Sequence, residues 1–205
     1  MGHGWEALMG RIFTHMTMSL DGFIADPDDG VGELFGWYEA GPVTVPSADE
    51  RWSFQVDEDS ARMLREVMGA TGALVCGRRL FEHTSGWGDR HPIGAPVVVV
   101  THQPPRDADR WQTISFTDGV KQGLDAAGQL AGDKDVCIAS ASIAAQALDL
   151  DLVDEVIISL APVMLGKGIA YFGDLANAPH RFGDPVIIAG QRVTHLRYPV
   201  LRAGR

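Results

Sequence analysis

The stretch that most constrains how this chain folds is Val136 to Ser142, VCIASAS, with the Ala-rich run Ile143 to Leu148 behind it. A short apolar run, broken by small residues and resumed as an apolar helix-forming segment, reads as a buried strand, a tight turn and a helix start. In an α/β chain such a junction aims free backbone N–H groups and the positive end of a helix dipole at one point. That is an anion site suited to a phosphate. Glycine commonly fills a turn of this kind, because the backbone must approach the ligand closely. Here the turn is Ala139, Ser140, Ala141 and Ser142.

The rest of the chain supplies the context. Arg11 to Leu20 reads as a first strand ending at the turn signal Asp21-Gly22, with an acidic loop at Asp26 to Gly30. Val31 to Arg51 has no period and reads as a long loop with one helical turn, whose aromatic residues line a pocket or cover the core edge. Asp59 to Met68 places Met63, Leu64, Val67 and Met68 at helical spacing, with Asp59 or Ser60 as N-cap. Ala73 to Cys76 reads as a buried strand, and Gly77 leads into a helix start at Arg78. Pro96 to Thr101, PVVVVT, is the best candidate for a central strand. Thr113 to Phe116 is a shorter strand, and Asp118 caps a helix running to about Leu130. Asp135 to Ala139 is a strand, Ile143 to Leu150 a short helix and Val153 to Leu160 a further strand. Val186 to Ala189 and Arg192 to Tyr198 close the chain as a hairpin around Gly190-Gln191. Strands that alternate with helices and then pair with each other predict an α/β three-layer domain, with helices on both faces of a mostly parallel sheet and an antiparallel C-terminal edge. The reading is one domain over residues 11–205 behind a flexible leader at residues 1–10.

A net charge of −10 argues against a nucleic-acid or anionic-membrane surface, while leaving room for a local basic pocket. No run approaches the ~20 apolar residues that span a bilayer. The two cysteines, Cys76 and Cys137, end apolar runs and read as small buried hydrophobes, consistent with a reducing cytoplasm.

Ligands of open α/β sheets bind beyond the carboxyl ends of the strands. Three such ends carry suitable chemistry. Gly77-Arg78-Arg79 offers a close backbone approach and two guanidiniums that can fork onto a phosphate. Thr101-His102 offers a hydroxyl and an imidazole, and Ala139 to Ser142 a helix N-terminus. A dinucleotide with a 2′-phosphate needs this set of contacts. Asp21, after a strand and before Gly22, is the candidate acid at a pocket mouth, or a turn-forming residue. HExxH, CxxC, GxSxG and P-loop patterns are absent, so metal-dependent hydrolysis and serine nucleophile chemistry lack support.

The segments MTMSLDGFIA, VCGRRLFE, VVVVTHQPP and LVDEVIISLAPVMLGKGIAYF resemble the bacterial dihydrofolate-reductase-like family, which includes the reductase domain of the bifunctional riboflavin-synthesis deaminase/reductase. The resemblance runs over about residues 11 to 198. It implies a homodimer that binds NADPH and passes hydride to a small pteridine-like or pyrimidine-like heterocycle. By motif, Gly77, Arg78 and Arg79 lie beside the cofactor phosphates, Thr101 and His102 face the 2′-phosphate, and Ala139 to Ser142 cradle the pyrophosphate. Leu20, Asp21 and Gly22 lie near the nicotinamide and substrate, with Leu165 and Gly166 on the substrate side. Two departures fall on the cofactor side. Ala139-Ser140-Ala141 replaces the family's usual glycine pair, so Cβ atoms crowd the phosphate and an unusual backbone geometry becomes costly. Gln103 stands where a basic residue often follows the threonine-histidine pair. The alternative is a ligand-binding or dimeric interaction protein that keeps the fold and has weakened or lost the cofactor.

Overall fold

The computed structural model describes residues 10–173 and 175–202. The leader expected at residues 1–10 lies, apart from Gly10, outside the described residues. In chain order the strands and helices are β1 (Ile12–Ser19), β2 (Phe23–Ala25), β3 (Val43–Pro46), β4 (Ser53–Val56), α1 (Glu58–Ala70), β5 (Thr71–Gly77) and α2 (Arg78–His83). They continue with β6 (Val97–Val100), β7 (Ile114–Thr117), α3 (Val120–Ala131), β8 (Asp135–Ile138), α4 (Ala141–Asp149) and β9 (Glu155–Ala161). The chain closes with β10 (Ile169–Ala170), β11 (Arg181–Phe182), β12 (Val186–Gly190) and β13 (Val193–Leu201).

Nine strands form one sheet in the order β11-β13-β9-β1-β8-β5-β6-β7, with β12 also paired to β13. From β9 to β7 every neighbouring pair is parallel, and β13 runs antiparallel to β9 and to the β11 and β12 segments. The mostly parallel sheet with an antiparallel C-terminal edge is thus as the alternation of elements predicts. The PVVVVT strand is an inner strand, β6, but sits one place from the edge formed by β7.

Because successive side chains of a strand point to opposite faces, each inner strand feeds two cores. Leu74, Cys76, Val97, Val99 and Cys137 face α1 and α2. Val75, Val98, Val136 and Ile138 face Leu124 and Ala127 of α3 and Ile143 and Ala147 of α4. Both cysteines are buried and unpaired, and burial pushes each thiol up to about 12.

Three local expectations change. The Val31 to Arg51 stretch holds a 3₁₀ turn at Leu34–Glu39 and the strand β3, which pairs antiparallel with β4. Its Trp37 covers the core: the side chain is buried and donates Nε1–H to Thr17 Oγ1 at 3.3 Å. The cap of α1 is Asp57, two or three residues before the expected Asp59 or Ser60, and its carboxylate accepts from the Asp59 and Ser60 amides. Asp118 does not cap α3. Gly119, at φ 103°, precedes that helix without a side-chain cap, and the Asp118 carboxylate turns instead to the His102 ring.

Candidate active site

The carboxyl ends of β1, β8, β5 and β6 are neighbours in the sheet, so their outgoing turns meet along one rim. Leu20-Asp21-Gly22 leaves β1, Ala139 to Ser142 leaves β8, Gly77-Arg78-Arg79 leaves β5 and Thr101-His102 leaves β6. The structure therefore brings to one rim segments that lie up to about 120 residues apart in sequence.

At β8 the helix begins at Ala141, two residues earlier than expected, with Ser140 at the N-cap position in an extended conformation, φ −164°. The Ser140 hydroxyl makes no cap bond, so the first-turn amides of α4 receive no side-chain acceptor. No residue from Ala139 to Ser142 takes a positive φ. The expected backbone penalty for lacking glycine therefore does not arise; only the Cβ atoms add bulk. Gly77 faces this turn. A Cβ on Gly77 would stand 3.3 Å from Ser140 Oγ and 3.7 Å from Ile143 Cδ1, so glycine lets the turn after β5 pass close to the start of α4.

The cationic side chains are already engaged. Arg78 donates to Glu82 at 2.7 Å and to Gln103 Oε1 at 3.1 Å, which ties α2 to the turn after β6. Arg79 donates to Asp29 of the acidic loop at 2.7 Å. His102 is exposed and pairs with Asp118, whereas Thr101 is buried and accepts the Gln103 amide at 3.1 Å. Exposed pairs of this kind contribute about 0–1 kcal/mol, so an incoming phosphate can take them over at small cost.

Asp21 organises the other end of the rim. Its Oδ1 accepts from Ser19 Oγ at 2.6 Å and from the Leu165 amide at 3.1 Å, and its Oδ2 accepts from the Gly166 amide at 2.6 Å. The Ser19 hydroxyl, with the Gly166 and Leu165 amides, holds this carboxyl below its ordinary range. Asp21 is therefore built to stay ionised and to hold the loop after β9. That loop is also fixed by the Leu20 amide on Val163 O at 2.8 Å and by the pairing of β10 with β2. Gly168 allows the close passage, since a Cβ there would lie 2.1 Å from Ala25 O. Leu20 and Met164 remain 56 % and 70 % exposed beside this loop, an apolar surface suited to a flat ring.

One feature of the interior has no counterpart in the sequence reading. His15 Nε2 meets Ser159 Oγ at 2.9 Å, Ser159 Oγ meets His195 Nδ1 at 2.9 Å, and His195 Nε2 meets Ser60 Oγ at 3.0 Å. Ser60 then donates to Asp57 Oδ2 at 2.6 Å. The proton directions follow by elimination. Ser60 has one proton and gives it to Asp57, so His195 donates through Nε2. Neutral His195 then accepts at Nδ1 from Ser159, and Ser159 accepts from His15 Nε2–H. Burial pushes His195 down to about 4; burial first, then the neighbouring His195 and Arg197, pushes His15 to about 3. Both rings are thus neutral near pH 7. The signal in the sequence was polar residues at inward positions of apolar strands, but only the pairing of β1, β9 and β13 shows that they touch.

The architecture is that of a dihydrofolate-reductase-like α/β protein. Residues 11–182 match the family model described as the RibD C-terminal domain, and the chain belongs to that family. No curated protein matches the chain. Among solved structures it is similar to a putative riboflavin biosynthesis protein from Shewanella sp. PV-4, with a TM-score of 0.65 and 22 % identity over 94 % of this chain and 99 % of that one. It is also similar to the dihydrofolate reductase of Enterococcus faecalis complexed with NADP(H), with a TM-score of 0.59 and 13 % identity, covering 95 % and 98 %. A third is the diaminohydroxyphosphoribosylaminopyrimidine deaminase/5-amino-6-(5-phosphoribosylamino)uracil reductase of Thermotoga maritima, at a TM-score of 0.59 and 12 % identity. That match covers 94 % of this chain but only 57 % of the longer protein.

Proposed function

We propose that this protein is an NADPH-dependent reductase of a small pteridine- or pyrimidine-like heterocycle, working in a reducing cytoplasm. One observation carries the reading: an uncapped helix N-terminus, a glycine approach, two arginines and a threonine-histidine pair share one rim with the Asp21 loop. The donor set suits the cofactor, since the free first-turn amides of α4 and the close backbone approach at Gly77 suit a pyrophosphate, Arg78 and Arg79 supply positive charge, and His102 offers a ring nitrogen for a hydrogen bond. When bound, NADPH would supply the hydride. Asp21 would fix Leu165 and Gly166 against the substrate ring, and Leu20 and Met164 would exclude water from one side. The proton that completes the reduction would come from water, because Asp21 is held ionised.

A second reading is a ligand-binding or interaction protein of the same fold without catalysis. It is favoured by the carboxylates of Glu82, Asp29 and Asp118 already seated on Arg78, Arg79 and His102. Titration with NADPH, followed by nicotinamide fluorescence, separates the two. Binding at micromolar concentration, weakened in His102→Ala and Arg79→Ala more for NADPH than for NADH, supports the reductase. Absence of binding at millimolar NADPH overturns it.

A further inference from the structure

Arg78 is held at two points by two different parts of the chain. Its Nε donates to Glu82 Oε1 at 2.7 Å, one turn further along α2. Its Nη1 donates to Gln103 Oε1 at 3.1 Å, in the turn that leaves β6. A guanidinium is planar, so anchors on two of its nitrogens fix the plane of the group as well as its place. The third nitrogen, Nη2, meets no acceptor among the described residues.

Gln103 is itself fixed. Its backbone amide donates to the hydroxyl of buried Thr101 at 3.1 Å, which ties the turn to the end of β6. Arginine only donates, so the side-chain atom of Gln103 that faces Nη1 is the oxygen. A lysine at this position could accept nothing from Arg78 and would repel it. An apolar side chain would let the guanidinium swing, because Glu82 lies on the same helix and an exposed pair four residues apart is a weak restraint. The bond to Gln103 is therefore what carries Arg78 from α2 across to the Thr101 end of the rim. There Arg78, Thr101 and Gln103 border one cavity of about 40 Å³, which Phe81 and Phe116 also line, edge to face with centroids 5.2 Å apart.

We propose that Gln103 is a positioning residue for the cofactor: it holds the Arg78 guanidinium toward the 2′-phosphate of NADPH and so sets the preference of the site for NADPH over NADH. The inference rests on the reductase reading and goes beyond it, since it assigns the discrimination to a neutral side chain acting through an arginine. An arginine already held still loses little rotamer freedom when it meets a phosphate, and that saving appears as affinity. NADH lacks the 2′-phosphate, so its binding does not draw on the Arg78–Gln103 bond.

Fluorescence titrations with NADPH and with NADH test this in the wild type, Gln103→Leu, Arg78→Ala and the double variant. Gln103→Leu is expected to weaken NADPH about three- to tenfold, the worth of one hydrogen bond, while NADH stays within about twofold. Arg78→Ala is expected to weaken NADPH about tenfold or more. In the Arg78→Ala background Gln103→Leu is expected to cost nothing further, because no guanidinium remains to be held. Equal losses for both nucleotides, losses that add in the double variant, or unchanged NADPH affinity in Gln103→Leu each overturn the positioning role and leave the reductase reading standing. So does a wild type that binds NADPH no tighter than NADH. A wild type that binds neither nucleotide at millimolar concentration overturns both.

Discussion

Asp21 shows how much one side chain can organise. It sits beyond β1, yet it accepts the amides of Leu165 and Gly166, about 144 residues further on. Asp21→Ala removes the acceptor for both amides while leaving the Gly22 turn intact. Faster hydrogen exchange at Leu165 and Gly166, with little change at β5, is the expected outcome by NMR. If the reductase reading holds, kcat falls with it, because the loop no longer faces the substrate squarely. Ser140 poses a sharper question. Its backbone is extended and unstrained, so Ser140→Gly gains nothing from conformational relief. It removes only the Cβ and hydroxyl beside the expected pyrophosphate. Tighter NADPH binding in Ser140→Gly, read by the same fluorescence titration, is therefore expected if crowding is the obstacle. Unchanged binding would place the obstacle elsewhere.

Among the elements, the link between α2 and β6 holds the most unusual backbone. Five consecutive residues, Ser85 to Asp89, have positive φ between 49° and 69°. A left-handed conformation costs a residue with a Cβ roughly 1–2 kcal/mol. The segment is held by Asp89, which accepts the Gln112 and Thr113 amides at 2.9 Å each, and by Arg51, which donates to Trp87 O at 3.1 Å. Gly86 lies under Trp111 and Phe81, where a Cβ would fall within 3 Å of both rings. Ser85 is exposed, so Ser85→Gly removes strain without losing packing. A gain of up to about 1 kcal/mol in urea denaturation is expected. Glycines 86 and 88 were visible in the sequence, but the left-handed turn was not, since Ser85, Trp87 and Asp89 do not announce that conformation. The helices and inner strands were more legible. Apolar spacing located α1, α3 and β6 to within a few residues, because burial against a sheet imposes a period that the chain must carry. The hairpin of β3 and β4 left no such mark: Val43 to Pro46 and Ser53 to Val56 are short and half polar, and pair only through tertiary context.

For the molecule as a whole, the chain from His15 to Asp57, together with His91, which burial holds down to about 4, shapes the response to acid. His15 and His195 ionise near 3 and near 4 when folded, against an ordinary value of 6.5 when unfolded. A depressed histidine stabilises the fold while it stays neutral, so its contribution is intact above about pH 6.5. As pH falls below that value the unfolded chain takes up protons first, and stability declines until the folded values are reached. Asp57, also held below its usual range, adds a further loss at lower pH. Urea midpoints are therefore expected to fall steadily from pH 6.5 to about pH 4. His195→Gln, which removes one of the three depressed histidines, should make that slope shallower even if it lowers stability at pH 7. An unchanged slope would mean that the network opens before its rings are protonated.

The sequence by itself determined the layered α/β architecture, the order of its main helices and inner sheet strands, and the burial of both cysteines. These are local or periodic properties, written in the spacing of apolar residues and in the turn signals between them. Only the tertiary structure decided which of them meet. It engaged Arg78, Arg79 and His102 with Glu82, Asp29 and Asp118, gave Asp21 to a distant loop, seated Trp37 on Thr17 and joined His15 to Asp57 through three other side chains. Such contacts depend on strand order and register, and those are settled by the packing of the whole sheet rather than by any stretch of the chain.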